Sequence, residues 1–132
     1  MKTAPVLLIA PIALWCFAPP ASAQDPVKLS PNMYTVLLEN EHVRVLEFRQ
    51  KAGEKEPMHS HPSGVAYLFT GSSRVRFTTP DGKAEVLEPS KPGTAVWIDP
   101  VTHTWENLGP DDVRVLIVEM KDLPAAKKAS AK

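Results

Sequence analysis

Hydrophobic and polar residues alternate along most of the middle of the chain, which is the pattern of half-buried β-strands. In SRVRFTTPDGKAEVL, Val75 and Phe77 alternate with polar neighbours until the turn sequence Pro80-Asp81-Gly82. Further short runs rich in β-branched and aromatic residues are TVLLEN, HVRVLEFRQ, VAYLFTG, TAVWID, HTWEN and VRVLIVEM. Turn residues separate these runs and no window has a helical period. The sequence therefore predicts an all-β sandwich or barrel.

The beginning of the chain has a different pattern. Residues 1–23 combine a lysine at position 2, a short apolar run and the sequence Ala-Ser-Ala, which together are typical of a secretory signal peptide cleaved after Ala23. We therefore expect a periplasmic or secreted protein that is free of the membrane after cleavage. Beyond the cleavage site we expect three parts: an extended lead-in at 24–34, one β-domain at 35–120 and a disordered basic tail at 121–132.

Composition narrows the classes of function. Cleavage would remove Cys16, the only cysteine, so the domain would have no disulfide and would depend on its hydrophobic core. The chain has 15 Lys and Arg residues and 15 Asp and Glu residues, a formal net charge of 0. Such a balance gives no basic field for nucleic acid. Small molecules, metals and protein partners remain.

Three of the four histidines have a spacing that suits metal binding. Side chains at positions i and i+2 of a strand point to the same face, so His59 and His61 are directed at one point. His103, directly after a turn, could join them from a distant strand. Three neutral imidazoles suit a divalent transition metal such as iron, zinc, copper or nickel and leave positions open for other ligands. Chance spacing is the alternative, because HxH alone is a weak pattern.

The same residues resemble the two motifs of the cupin superfamily. Five residues separate Gly53 from the HxH pair, as in the first motif. Gly93 opens a version of the second motif that is one residue shorter in its turn and that ends with His103 and Asn107. The resemblance covers about residues 35–120. It implies a single-domain, jelly-roll-like β-barrel with a metal held by the three histidines, and a homodimer formed through edge strands.

The chain departs from the cupin pattern at the glutamate that follows HxH. Val65 or Ala66 stands there, depending on the alignment, and both are apolar. A metal without this carboxylate would keep more positive charge, which favours anionic ligands and disfavours metals that prefer oxygen, such as manganese. A decayed site in which only the histidines persist is the alternative.

Strand alternation also predicts a pocket beside the histidines. If the strand runs unbroken from His61, then Val65, Tyr67 and Phe69 lie on its inward face, and Trp105 shares the face of His103. Tyr67 is the candidate catalytic residue, because its hydroxyl could bind a substrate or a metal-bound water. The predicted substrate pocket consists of Met58, Val65, Phe69 and Trp105. Filling of the barrel core is the alternative for these aromatic residues.

Two polar residues are predicted to support the metal ligands from behind. Thr102 and Asn107 could orient His103 through hydrogen bonds. Glu54 and Glu56 are expected to face solvent. No general base is then evident beside the metal, which favours redox chemistry or simple binding over metal-assisted hydrolysis.

The resemblance implies an exported metal-dependent enzyme acting on a small organic molecule. Similar three-histidine cupins include oxygenases, lyases, isomerases and hydrolases, and an iron-dependent dioxygenase, an oxidoreductase, is the most concrete expectation. Zinc and copper compete with ferrous iron for imidazole outside the cytoplasm, so the identity of the metal stays open. The alternative is a non-catalytic module that binds a metal or a small ligand.

Overall fold

The structure is a computed structural model that describes residues 24–70 and 74–121. The predicted signal peptide lies outside the described residues, as does the predicted basic tail beyond Lys121. Within the described part of the chain, no helix is long and apolar enough to cross a membrane.

The described residues form nine β-strands and one short helix. In chain order they are α1 (Pro26–Leu29), β1 (Tyr34–Glu39), β2 (Val43–Gln50), β3 (His59–His61), β4 (Gly64–Leu68), β5 (Val75–Thr78), β6 (Ala84–Leu87), β7 (Ala95–Ile98), β8 (Val101–Asn107) and β9 (Val113–Met120). The strands make two antiparallel sheets with the orders β1-β2-β9-β4-β7 and β3-β8-β5-β6. The prediction of an all-β fold is confirmed.

The lead-in differs from the expected extended segment, because it contains α1. The Asp25 side chain accepts a hydrogen bond from the backbone nitrogen of Val27 at 3.1 Å, and Pro26 stands in the first turn. Both are favourable at the start of a helix. A helix of four residues is too short to show a hydrophobic period, so its cap was the only sequence signal.

The hydrophobic core lies between the inner faces of the two sheets. Strand β9 buries Val113, Val115 and Ile117 on one face, and β2 buries Leu46 and Phe48 against them. This alternation is what the sequence predicted for half-buried strands. Burial of each such side chain stabilises the fold by about 1.5–3 kcal/mol.

The chain changes sheets between β3 and β4. Strand β3 pairs with β8 in the smaller sheet, whereas β4 pairs with β9 and β7 in the larger one. Pro62 lies between them, and a proline has no N–H group to donate to a continuous ladder. The alternation of inner and outer residues therefore starts anew at Gly64.

Candidate metal centre

The pairing of β3 with β8 brings the three predicted histidines together. His59 lies directly opposite His103 in this pair, and His61 shares the face of His59. All three side chains are buried, and one ring nitrogen from each lies within 4.8 Å of the others. The distant strand thus supplies the third histidine, as the sequence predicted.

Hydrogen bonds fix the orientation of two of the imidazoles. Nδ1 of His59 donates to the carbonyl oxygen of Pro57 at 2.9 Å, and Nδ1 of His61 donates to Oε1 of Glu119 at 2.7 Å. The Nε2 atoms of these two histidines then face each other at 3.0 Å. Two acceptor nitrogens at this distance need a proton or a metal ion between them.

His103 completes the cluster from the opposite side. Its ring stacks on Phe77, with the ring centroids 4.6 Å apart and an interplanar angle of 21°. Its Nδ1 is buried without a hydrogen-bond partner among the described residues. Burial, together with the nearby His59 and His61, lowers the pKa of His103 to about 3. Burial also lowers the pKa of His59 to about 4.

This donor set fits a divalent transition metal. His59 and His103 are neutral at physiological pH, and the neutral imidazole is the form that binds metals. Nitrogens that each lie about 2.1 Å from one ion are on the order of 3–4 Å apart, so the 3.0 Å contact already fits. The widest pair, within 4.8 Å, would need to close by about 1–2 Å.

A buried network behind His61 holds its ring in place. The second carboxylate oxygen of Glu119 accepts a hydrogen bond from Nε of Arg44 at 2.6 Å, and Arg44 also binds Asp25 at 3.0 Å. Burial alone would raise the pKa of Glu119, but the hydrogen bonds from His61 and Arg44 outweigh it and lower that pKa. A carboxylate in this position fixes the tautomer of a metal-binding histidine.

Glu119 is a residue of the site that was not predicted from the sequence, although the sequence contains a signal for it. In VRVLIVEM the residues of the buried face are Val113, Val115 and Ile117, and continued alternation places Glu119 on that same face. A glutamate at a core position needs a partner, so the alternation pointed to a buried polar contact.

Glu56 corrects a second expectation. It was predicted to face solvent, but its side chain is only 2% exposed. Its Oε2 accepts a hydrogen bond from the hydroxyl of Tyr34 at 2.8 Å, and its Oε1 lies 3.6 Å from Nε2 of His59. Burial raises the pKa of Glu56 to about 8, against the opposing effect of the Tyr34 hydrogen bond. A carboxyl group does therefore stand beside the cluster, contrary to the sequence analysis.

The backbone explains why Glu56 points inward. The preceding residue, Lys55, forms an isolated bridge with Glu106, and the backbone nitrogen of Glu56 donates to the carbonyl oxygen of Trp105 at 3.0 Å. This segment therefore lies along β8, the strand that holds His103. No strand pattern precedes β3 in the sequence, so alternation could not predict this orientation.

The cluster opens into a cavity of about 460 Å³ between the sheets. Its polar lining residues are Tyr34, Glu56, His61 and His103 and, further along the wall, Glu88, Ser90 and Asp99. Much of the remaining wall is apolar or aromatic and includes Phe48, Leu68, Val75, Phe77, Trp105 and Val115. Trp105, one of the residues predicted for the substrate pocket, is among these lining residues.

The other predicted pocket residues lie elsewhere, because the strand is interrupted at Pro62. Val65, Tyr67 and Phe69 point away from the cavity, and Tyr67 and Phe69 are 39% and 41% exposed. Val65 lies between Val118 and Trp97 on the outer face of the larger sheet. Tyr67 is therefore not a catalytic residue of this cavity, whose wall at β4 consists of Ala66 and Leu68 instead.

Three further predictions need correction. Met58 is half-buried but does not line the cavity. Thr102 binds the hydroxyl of Ser60 at 2.7 Å, which ties β8 to β3 on the face opposite to the histidines. The side-chain nitrogen of Asn107 donates to the carbonyl oxygens of Lys51 and Asp111, so this residue holds the turn after β8 and does not orient His103.

The positions of Val65 and Ala66 predict which of them would contribute to the metal site if the missing motif glutamate were restored. Ala66→Glu should place a carboxylate in the cavity and increase the affinity for Mn²⁺, whereas Val65→Glu should leave it unchanged. Without metal, Ala66→Glu should cost about 1–3 kcal/mol of stability, because it buries a polar group. Titration calorimetry with Mn²⁺ and denaturant unfolding measure both effects. Equal behaviour of the two variants would contradict the inward position of Ala66.

The arrangement of the sheets is similar to that of solved cupin domains. A cupin domain from Bordetella pertussis Tohama I is 24% identical with a TM-score of 0.61, and the match covers 68% of this chain and 93% of that chain. An RmlC-like cupin family protein with a double-stranded β-helix fold from Methanocaldococcus jannaschii is 18% identical with a TM-score of 0.50, and the match covers 66% of this chain and 77% of that chain. No family model and no curated protein sequence matches the chain. The protein therefore has the cupin fold, and the cluster of three histidines lies inside it.

Proposed function

We propose that the protein is a metal-dependent enzyme that acts on a small, largely apolar organic molecule. The main support is the three-histidine cluster beside the cavity of about 460 Å³, because two of its members, His61 and His103, line the wall. A mostly apolar pocket with a few convergent polar groups is typical of a small-molecule site. Dioxygenase-type oxidation is the most specific form of the proposal, since three protein ligands leave positions for a substrate and for dioxygen.

The residues of the site would have different roles in such an enzyme. His59, His61 and His103 would hold the ion, which would supply Lewis acidity or, if it is iron, a redox centre. Glu119 keeps Nδ1 of His61 as the hydrogen-bond donor, so its Nε2 stays available to the ion. The apolar cavity wall orients the substrate and excludes water.

Proton transfer without oxidation is the second candidate. It is favoured by the buried pair of Tyr34 and Glu56, which offers a hydroxyl and a carboxyl group to a molecule in the cavity. Such a pair suits a lyase or an isomerase, in which a positioned side chain moves a proton.

Metal analysis followed by substrate screening tests the proposal. We expect about one transition-metal ion per chain in the purified protein, and dioxygen uptake that depends on a small organic substrate. The His103→Ala variant should have neither property. Turnover without dioxygen uptake would favour the second candidate. A metal-loaded protein that binds small molecules unchanged would favour the non-catalytic alternative, and a protein that takes up no metal would contradict the whole proposal.

Export, cleavage after Ala23 and homodimer formation remain predictions from the sequence. The enzymatic proposal depends on none of them, because the histidine cluster and the cavity are formed within one chain.

A further inference from the structure

We propose that Glu56 is a fourth ligand of the metal centre, so that a residue three positions before HxH provides the carboxylate that β4 lacks. This inference rests on the proposed metal site. It differs from the cupin pattern of the sequence analysis, in which the glutamate follows the histidine pair.

The two carboxylate oxygens of Glu56 have different surroundings. Oε2 is occupied by the hydroxyl of Tyr34 at 2.8 Å. Oε1 lies 3.6 Å from Nε2 of His59, the nitrogen that faces His61 at 3.0 Å. No hydrogen-bond donor contacts Oε1 among the described residues. Oε1 of Glu56 and Nε2 of His61 thus both lie close to Nε2 of His59.

Glu56 also lacks a cationic partner in the described part of the chain. Glu56 is 2% exposed, and its one ion-pair contact within residues 24–70 and 74–121 is with His59. No lysine or arginine among the described residues forms an ion pair with Glu56. A buried carboxylate without a cationic partner is costly, and a metal ion that displaces the proton of the carboxyl group is one of the few ways to compensate its charge.

Glu119 provides an internal comparison, because it also contacts a histidine of the cluster. Its two oxygens are already bound by Nδ1 of His61 and Nε of Arg44. It also meets the imidazole on the Nδ1 side, away from Nε2. Glu119 is therefore a positioning residue, whereas Glu56 faces the side of the imidazoles on which the ion would lie.

A carboxylate ligand changes which metals and which molecules suit the site. Three neutral imidazoles and one carboxylate would leave a divalent ion with a net charge near +1. Oxygen ligands favour harder metals, so Mn²⁺ and Fe²⁺ become better candidates than the motif departure suggested. The preference for anionic ligands expected from a missing glutamate should be correspondingly weaker.

Titration of the metal-free full-length protein with Mn²⁺ and with Zn²⁺ tests this assignment. Glu56→Gln keeps the size of the side chain and an oxygen that can accept from Tyr34. We expect it to lower Mn²⁺ affinity by about tenfold or more and Zn²⁺ affinity by less, so that the ratio of the two affinities changes. Glu54→Gln, two residues away, is the matched control and should change neither.

The outcomes separate this inference from the function on which it rests. A parent protein that binds neither metal would overturn both proposals. If the parent binds metal and Glu56→Gln binds both metals equally well, only the assignment of Glu56 fails. An equal loss of affinity for both metals would indicate a purely structural role and would also overturn it. Circular dichroism of each variant checks that the fold is retained.

Discussion

Replacing His103 by alanine should lower the affinity for a transition metal by more than about 100-fold. Loss of a residue that only hydrogen-bonds to a metal ligand typically lowers metal affinity by about 10–100-fold. His103 supplies one of the converging nitrogens itself, so its loss should have a larger effect. The stabilisation that excess metal gives the parent should therefore disappear. At a free metal concentration of about 100 times the Kd, that stabilisation is about 2.7 kcal/mol. Calorimetric titration and thermal unfolding with and without Zn²⁺ measure the two effects.

His42 is the matched control for this experiment. Its side chain is 71% exposed in the turn before β2, away from the cluster. His42→Ala should therefore bind metal like the parent. Full metal occupancy in His103→Ala would show that β8 does not supply a ligand, and the three-histidine site would have to be abandoned.

Replacing Gly64 by alanine should destabilise the fold by about 3 kcal/mol or more, at the upper end of the range for overpacking. A Cβ atom at this position would overlap the backbone carbonyl oxygen of Val118, and a backbone atom cannot move away as a flexible side chain can. Gly64 also pairs with Glu119 in the ladder between β4 and β9. A shift of β9 would move Glu119 away from His61, so metal affinity should fall as well.

Gly82→Ala is the control for the same substitution in an open place. A Cβ atom at Gly82 would meet nothing within 4 Å, but its φ of +82° favours glycine. This variant should lose about 1 kcal/mol and keep its metal affinity. Denaturant unfolding compares the two variants. If Gly64→Ala is no less stable than Gly82→Ala, β4 and β9 do not approach as closely as the structure shows.

The fold was predictable because alternation is a local property of each strand. Runs such as VRVLIVEM and HVRVLEFRQ define their buried faces without knowledge of the neighbouring strands, and their predicted positions agree with β9 and β2. The inward face of β4 was predicted wrongly, because the prediction assumed that the alternation of β3 continues unbroken past Pro62. At this point the chain passes from one sheet to the other, and the alternation after the break is independent of the alternation before it.

The candidate site was predictable where a motif fixed it. The spacing of HxH and the later histidine was enough to bring together His59, His61 and His103. The buried carboxylates depend on contacts between distant segments: Glu119 reaches His61 from the last strand, and Glu56 is turned inward by backbone contacts with β8. Spacing along the chain contains no information about such contacts.

The place of β9 in the larger sheet has a consequence for how the chain folds. Strand β9 pairs with β2 on one side and with β4 on the other. The sheet is therefore complete only after residues 43–50 have paired with residues 113–120. Contacts so distant in sequence impose a large loop-closure entropy before they give any stabilisation, and folds dominated by them form in milliseconds to seconds. Until then β2 and β4 present open edges, and the Glu119 support of His61 does not exist. We therefore expect the support of His61 by Glu119 to form only after β9 has paired with its neighbours.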